Sequence, residues 1–192
     1  MSPDEVRAPA ADKPAEPWRS FLRDLDELLK GPIELRCLGG FVVTQHYGVG
    51  RTTSDIDFLA VIRQSSEDDI EALAGKGSPL NRRYGLYVQY VGVVTPPADY
   101  ASRLTRMFPA ASWKQLSLFA LDPIDLVLSK LERNADRDRE DFLSLARAGY
   151  LDRDIFQRRY HDELRPHLLS KHEWHDKTLQ LWLEMAWPPA KT

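Results

Sequence analysis

Leu38-Gly39-Gly40-Phe41-Val42-Val43 and, one loop later, Ser54-Asp55-Ile56-Asp57-Phe58-Leu59-Ala60-Val61 are the segments on which the fold turns. Ile33 to Leu38 reads as a short strand and the glycine pair as a tight turn. Phe41 to Tyr47 then reads as a short helix and Gly48 to Thr53 as a loop. Ile56 to Ile62 is nearly all apolar, which predicts a strand covered on both faces. Residues i and i+2 of a strand share a face, so Asp55 and Asp57 are expected to project together.

Two carboxylates side by side at the mouth of an apolar strand are costly unless a cation sits between them. Oxygen-only ligands favour Mg2+ or Mn2+ over zinc, and two carboxylates leave coordination positions for substrate phosphates. The alternative is a pair of solvated acids at a strand end. Asp-x-Asp also occurs at Asp24/Asp26, Asp136/Asp138 and Asp152/Asp154, but there the surroundings are helical and highly charged. Gly39 and Gly40 would let the backbone approach a ligand closely. The helix start behind them offers unpaired N–H groups to a phosphate. Arg51 adds a charge to this cradle, and Thr52, Thr53 and Ser54 add hydroxyls. An ordinary tight turn is the alternative.

Outward from this centre, residues 1–17 carry four prolines among alanines and charges and are expected to be a disordered tail. Trp18 to Lys30 repeats apolar residues at helical spacing and stops at Gly31-Pro32. Glu67 to Leu73 predicts a helix, Tyr84 to Val94 a long strand, Tyr100 to Phe108 a weak helix and Trp113 to Leu121 another strand. Asp122-Pro123 opens a helix with Ile124, Val127, Leu128 and Leu131 on one face. A break at Asn134 to Asp136 precedes a helix from Arg137 to Ala148, with Gly149 as its cap. Asp152 to Trp187 reads as helices broken near Pro166. The fold class is therefore α+β: a core over 18–121 and a helical C-terminal part over 122–192.

Composition narrows the function. The 192 residues hold 26 Lys plus Arg against 29 Asp plus Glu, a formal charge of −3, so no global basic field for nucleic acid exists. A single cysteine, Cys37, excludes a disulfide framework and points to a reducing, cytoplasmic setting. No apolar run reaches membrane-spanning length, and the first residues do not read as a secretory signal.

The glycine pair followed by Ser54-Asp55-Ile56-Asp57 resembles the first motif of the DNA polymerase β-type nucleotidyltransferase superfamily. Asp122 to Arg133, followed by Arg137-Asp138-Arg139-Glu140-Asp141, resembles the Lys…Arg-Asp-x-x-Asp segment of AbiEii-type toxin nucleotidyltransferases and of related bacterial nucleotidyltransferases. The resemblance runs from about Leu35 to Tyr150. It implies a small mixed sheet with the active site at one edge, a nucleoside triphosphate (NTP) and Mg2+. It also implies transfer of a nucleoside monophosphate to RNA, a transfer RNA among the candidates, or to protein. An antitoxin protein is a candidate partner on the same grounds. By position, Gly39 and Gly40 would contact phosphates, Asp55 and Asp57 would ligate metal, and Lys130 would contact the triphosphate. Asp138 or Asp141 would take the late acidic position.

Many superfamily members carry a third carboxylate on a neighbouring strand, but Tyr84 to Val94 contains no acid and offers Gln89 instead. Two other functions therefore stay open: a catalytically decayed nucleotide-binding or toxin–antitoxin partner protein, and a metal-dependent phosphohydrolase. Lys130 and Asp141 could converge only if the chain bends between Arg133 and Arg137, since one straight helix would hold them about 16 Å apart. His172-Glu173-Trp174-His175 reads as an exposed helix, and His46 as a capping or solvent-facing residue or one near the base. Cys37 reads as a core residue, and Trp174, Trp182 and Trp187 as helix packing.

Overall fold

The computed structural model describes residues 11–50, 52–63, 69–92 and 94–188. They form two compact units, one holding 11–92 and 104–121 and the other 94–103 and 122–188. The chain thus passes between units at three places, near residues 92, 103 and 121. The connection over 94–103 belongs with the helices rather than with the sheet.

In the first unit, β1 (Ile33–Leu38), β2 (Asp55–Arg63), β3 (Tyr87–Tyr90), β4 (Thr105–Arg106) and β5 (Leu116–Ala120) form a mixed sheet in the order β3-β2-β1-β5-β4. β2 and β4 run antiparallel to their neighbours β1 and β5, while β1–β5 and β2–β3 are parallel. This is the α+β architecture with a small mixed sheet that the sequence predicts. α1 (Trp18–Leu28) buries Trp18, Phe21, Leu22 and Leu25. α2 (Gly39–Phe41) continues into a π-helical turn over Val42–His46, and α3 (Ile70–Ala74) and α4 (Pro79–Tyr84) precede β3.

Asp26 at the end of α1 holds the head of β5. Its carboxylate accepts the backbone N–H groups of Lys114, Gln115 and Leu116 at 2.7–3.1 Å. Farther along, Leu121 N–H donates to Cys37 O at 3.1 Å, and the Tyr47 hydroxyl donates to Leu121 O at 2.6 Å. β1 and β5 are thereby held together beyond their ladder. Asp12, inside the expected tail, also makes a contact: its carbonyl accepts Ala110 N–H at 3.3 Å. Residues 13–17 are placed as well, Pro14 O accepting Arg19 Nε–H at 3.1 Å, while residues 1–10 lie outside the described residues.

Three expectations are corrected. β2 is not covered on both faces: Ile56 and Phe58 are buried, Asp55 and Asp57 are half-buried, and Ile62 is exposed. The cause is that β3 pairs only with Asp55 to Phe58, leaving the far half of β2 at an edge. The long strand expected from Tyr84 shrinks to four residues because α4 claims its beginning. Ser78 Oγ accepts Asn81 N–H, Pro79 sits in the first turn, and Gly85 closes the helix in the left-handed region at φ +70°. Tyr100 to Phe108 is a 3-10 turn over Tyr100–Arg103 followed by β4, and of the helix expected over Glu67 to Leu73 residues 67 and 68 lie outside the described residues while α3 covers Ile70–Ala74.

In the second unit, α5 (Pro123–Leu128) opens as expected, with Asp122 accepting Ile124 N–H at 3.0 Å. α6 (Asp136–Arg147), α7 (Arg153–Arg159), a π turn over Tyr160–Leu164, a 3-10 turn over Arg165–His167 and α8 (His172–Ala186) follow. Its core brings Phe142 against Trp182 with ring centres 4.8 Å apart. The connection over 94–103 is tied down by Arg103, which grips buried Asp125 at 2.8 Å and Glu163 at 2.6 Å. Among the described residues no helix is long and apolar enough to cross a membrane.

Candidate functional site

Asp57 lies opposite Leu38, the last residue of β1 before the glycine pair. The β1–β2 register slips between Arg36 and Cys37: Cys37 faces Phe58 while Arg36 faces Ala60, so Leu59 has no partner. Such a bulge re-aims the side chains around it. Here it lies beside the segment that carries both acids. Gly39 leaves β1 at φ +77° and is buried against the Asp57 side chain. A Cβ on Gly39 would overlap Asp57 Oδ2 and sit 3.0 Å from Cγ. Glycine is therefore required twice, for the backbone conformation and for the room that the carboxylate occupies. Gly40 follows half-buried, its carbonyl accepting the Thr44 hydroxyl at 3.0 Å.

Asp55 is held from two sides. The Thr53 hydroxyl donates to Oδ1, and the Tyr87 hydroxyl reaches Oδ2 at 3.5 Å. Tyr87 is also the register partner of Asp55 on β3. Burial, then the charge of Asp55, pushes the Tyr87 phenol above its ordinary value, so it stays a donor at neutral pH. Ser54 is exposed, and its carbonyl accepts Tyr87 N–H at 3.0 Å. Gln89 stands opposite Asp57. Among the described residues no third His, Cys, Asp or Glu closes with the pair into a three-ligand group. Arg51 lies outside the described residues.

Strand alternation puts Asp55 and Asp57 on one face of β2, with Tyr87 and Gln89 beside them on β3. The donor set is hard: carboxylate oxygens, hydroxyls and an amide, without thiolate or imidazole. It fits a divalent cation of the magnesium type, whose remaining positions would fall to phosphate oxygens and water.

Lys130, Asp138 and Asp141 all lie in the helical unit. The chain does bend after α5: Asn134 takes φ +44° and its N–H donates to Lys130 O at 3.0 Å. That turn lets Lys130 Nζ donate to Asp141 Oδ2 at 2.6 Å in a pair only 6% and 4% exposed. Asp138 is fully buried and occupied differently. Arg133 grips both its oxygens at 2.8 and 2.5 Å, and Ala135 N–H donates to one of them at 3.0 Å. Burial opposes its charge, but the Arg133 bonds and charge outweigh that and hold its carboxyl below the usual range. Asp138 thus closes the first turn of α6.

His46 and His175 depart from expectation, whereas Cys37 meets it. His46 is buried, and burial depresses its imidazole to about 4. His175 is buried too, not on an exposed face; among the described residues neither ring nitrogen has a hydrogen-bond partner, and Glu132 Oε2 faces Nε2 at 3.8 Å. Cys37 is a core residue whose thiol is pushed up by burial. Sequence reading misses Tyr87; at Asn134 it expects the break but not the positive φ. The register that sets Tyr87 beside Asp55 had no local signal, whereas an Asn between two helical patterns is a type that tolerates positive φ.

The chain matches, over residues 22–188, the family described as "Nucleotidyltransferase of unknown function (DUF6036)". No curated protein and no solved structure matches it. That match spans most of the 192 residues and includes the glycine pair, both acids of β2 and the Lys130–Asp141 pair, so the chain belongs to the DUF6036 family of nucleotidyltransferases.

Proposed function

We propose that this protein is a metal-dependent nucleotidyltransferase that moves a nucleoside monophosphate from an NTP to an RNA or protein acceptor. The observation that carries the reading is the seating of Asp57 against Gly39, with Asp55 beside it on the same face of β2. In the reaction the acceptor's hydroxyl oxygen bonds to the α-phosphorus and the bridge to the β-phosphate breaks. Pyrophosphate leaves, and the hydroxyl proton passes to a base or to solvent. Such transfer needs alignment and charge neutralisation more than covalent help. A bound magnesium or manganese ion supplies charge neutralisation on the phosphates.

Each residue then has a task. Asp55 and Asp57 hold the cation. Thr53 and Tyr87 orient the Asp55 carboxylate, one hydroxyl at each of its two oxygens. The Gly39-Gly40 backbone, free of Cβ atoms, lets phosphate oxygens come close. The resemblance of residues 122–141 to toxin enzymes makes the acceptors of a toxin, RNA and protein alike, the first to test, together with an antitoxin as binding partner.

A second reading, a descendant that binds nucleotide without transferring it, is favoured by Gln89 standing where a third acid would face Asp57. One experiment separates them. The protein is incubated with each α-labelled NTP, Mg2+, total RNA and cell protein. Label on a macromolecule, lost in Asp57→Ala, supports transfer. Nucleotide binding without label transfer supports the second reading. Phosphate release with no labelled acceptor points to a phosphohydrolase.

A further inference from the structure

A cavity of about 310 Å³ opens between the start of α1, the end of the π turn and the loop before β2, and one residue of its wall, Thr53, bonds to Asp55. Its volume is within the size range of small-molecule sites, roughly 300–1,000 Å³. Pro17, Trp18 and Leu86 give it apolar walls, Trp18 and Leu86 being buried. Thr44 and Gln45 line it from the π turn, and Thr53 from the loop. The Thr44 hydroxyl is already committed to Gly40 O and Phe41 O. The Gln45 side-chain amide has no hydrogen-bond partner among the described residues.

We propose that this cavity receives the nucleobase of the donor NTP and that Gln45 is its specificity-determining residue. The proposal rests on the nucleotidyltransferase reading above and adds where the base goes. Thr53 joins the two places: it lines the cavity and donates to Asp55 Oδ1. A ligand with its phosphates at Gly39, Asp55 and Asp57 therefore has this recess as an adjoining compartment. The chemistry suits a base. Flat apolar faces match Pro17, Trp18 and Leu86, while the Gln45 amide offers a donor and an acceptor to a base edge. Among the described residues that line it, Glu16 is the only charged side chain, an acid that would repel a lone phosphate.

The test uses the full-length protein and isothermal titration with Mg2+ and each of the four NTPs, with inorganic tripolyphosphate as the base-free probe. Wild type is compared with Gln45→Ala, which removes the amide, and Gln45→Trp, which fills the recess. Gln45 is half-buried, and retained tripolyphosphate binding reports an intact fold. The expected result is a Kd for the preferred NTP raised about tenfold in Gln45→Ala, as losing one or two base-edge hydrogen bonds implies. Gln45→Trp is to raise it further, and the tripolyphosphate Kd is to stay unchanged in both. NTP affinities unmoved in both variants, or falling in step with tripolyphosphate, overturn the assignment while leaving the phosphate site standing. A wild-type protein that binds neither NTP nor tripolyphosphate overturns both.

Discussion

Gly39 and Asp57 share one volume of space: the carboxylate of Asp57 fills the position that a Gly39 side chain would need. The diglycine bend and the Asp-x-Asp strand are thus one mechanical unit, and the bend fixes where the acid sits. Gly39→Ala must both strain the backbone at φ +77° and displace the carboxylate. A loss of about 1–3 kcal/mol of stability is expected from the backbone and the clash together. Mg2+-dependent nucleotide binding is expected to fall with it. Gly40→Ala, by contrast, is expected to cost less, since Gly40 is not in the left-handed region. Urea titration beside nucleotide titration checks this, and equal losses for the two variants would refute the claim about Gly39.

Asp26 and Asp57 belong to pairs with the same spelling but different work. Asp26 binds three consecutive backbone N–H groups at the head of β5. Asp26→Ala leaves these donors without their acceptor and should cost about 3 kcal/mol, since bonds to a charged acceptor are the stronger kind. Asp57→Asn should leave the unfolding midpoint nearly unchanged and remove label transfer. Thermal melts on the two variants decide it, and an Asp26→Ala protein as stable as wild type would sink the assignment.

What the sequence disclosed and what it hid divide along local and non-local lines. The Asp55/Asp57 strand, the Asp122-Pro123 helix start and the break near Asn134 rest on neighbouring residues, and periodicity and capping types expose them. Tyr87 beside Asp55 depends on a β2–β3 register set by the whole sheet. The burial of Lys130 and Asp141 depends on a turn whose direction no spacing rule fixes. The α4 helix shows the reverse case. Its Ser78-Pro79 start and Gly85 stop are local signals, which a reading led by the run of β-formers after Tyr84 passes over.

Acid should weaken the sheet unit through His46. Its folded-state value of about 4 lies below its ordinary 6.5, so between these the unfolded chain binds a proton that the native one refuses. The contribution is therefore complete above about pH 6.5 and is lost as pH falls towards 4. It is worth up to roughly 3 kcal/mol. His175, also depressed by burial, acts in the same direction. His46→Leu should flatten the dependence of the melting temperature on pH across this window. Unchanged slopes in wild type and variant would contradict the burial argument.

The Lys130–Asp141 pair can be separated into its structural and chemical parts. Both groups are nearly out of water and each is the other's counter-charge at 2.6 Å. Removing one, as in Lys130→Met or Asp141→Leu, strands a buried charge and should cost about 3–5 kcal/mol. Removing both restores neutrality, and Lys130→Met/Asp141→Leu should come within about 1 kcal/mol of wild type, because an apolar pair of similar volume needs no desolvation. That double variant is the informative protein. If Lys130 serves the triphosphate as the resemblance to toxin nucleotidyltransferases implies, the double variant folds like wild type but no longer transfers label. Wild-type transfer would instead make the pair a packing device of the helical unit. Denaturant midpoints for the four proteins, set against their initial rates of label transfer, give both answers from one set of preparations.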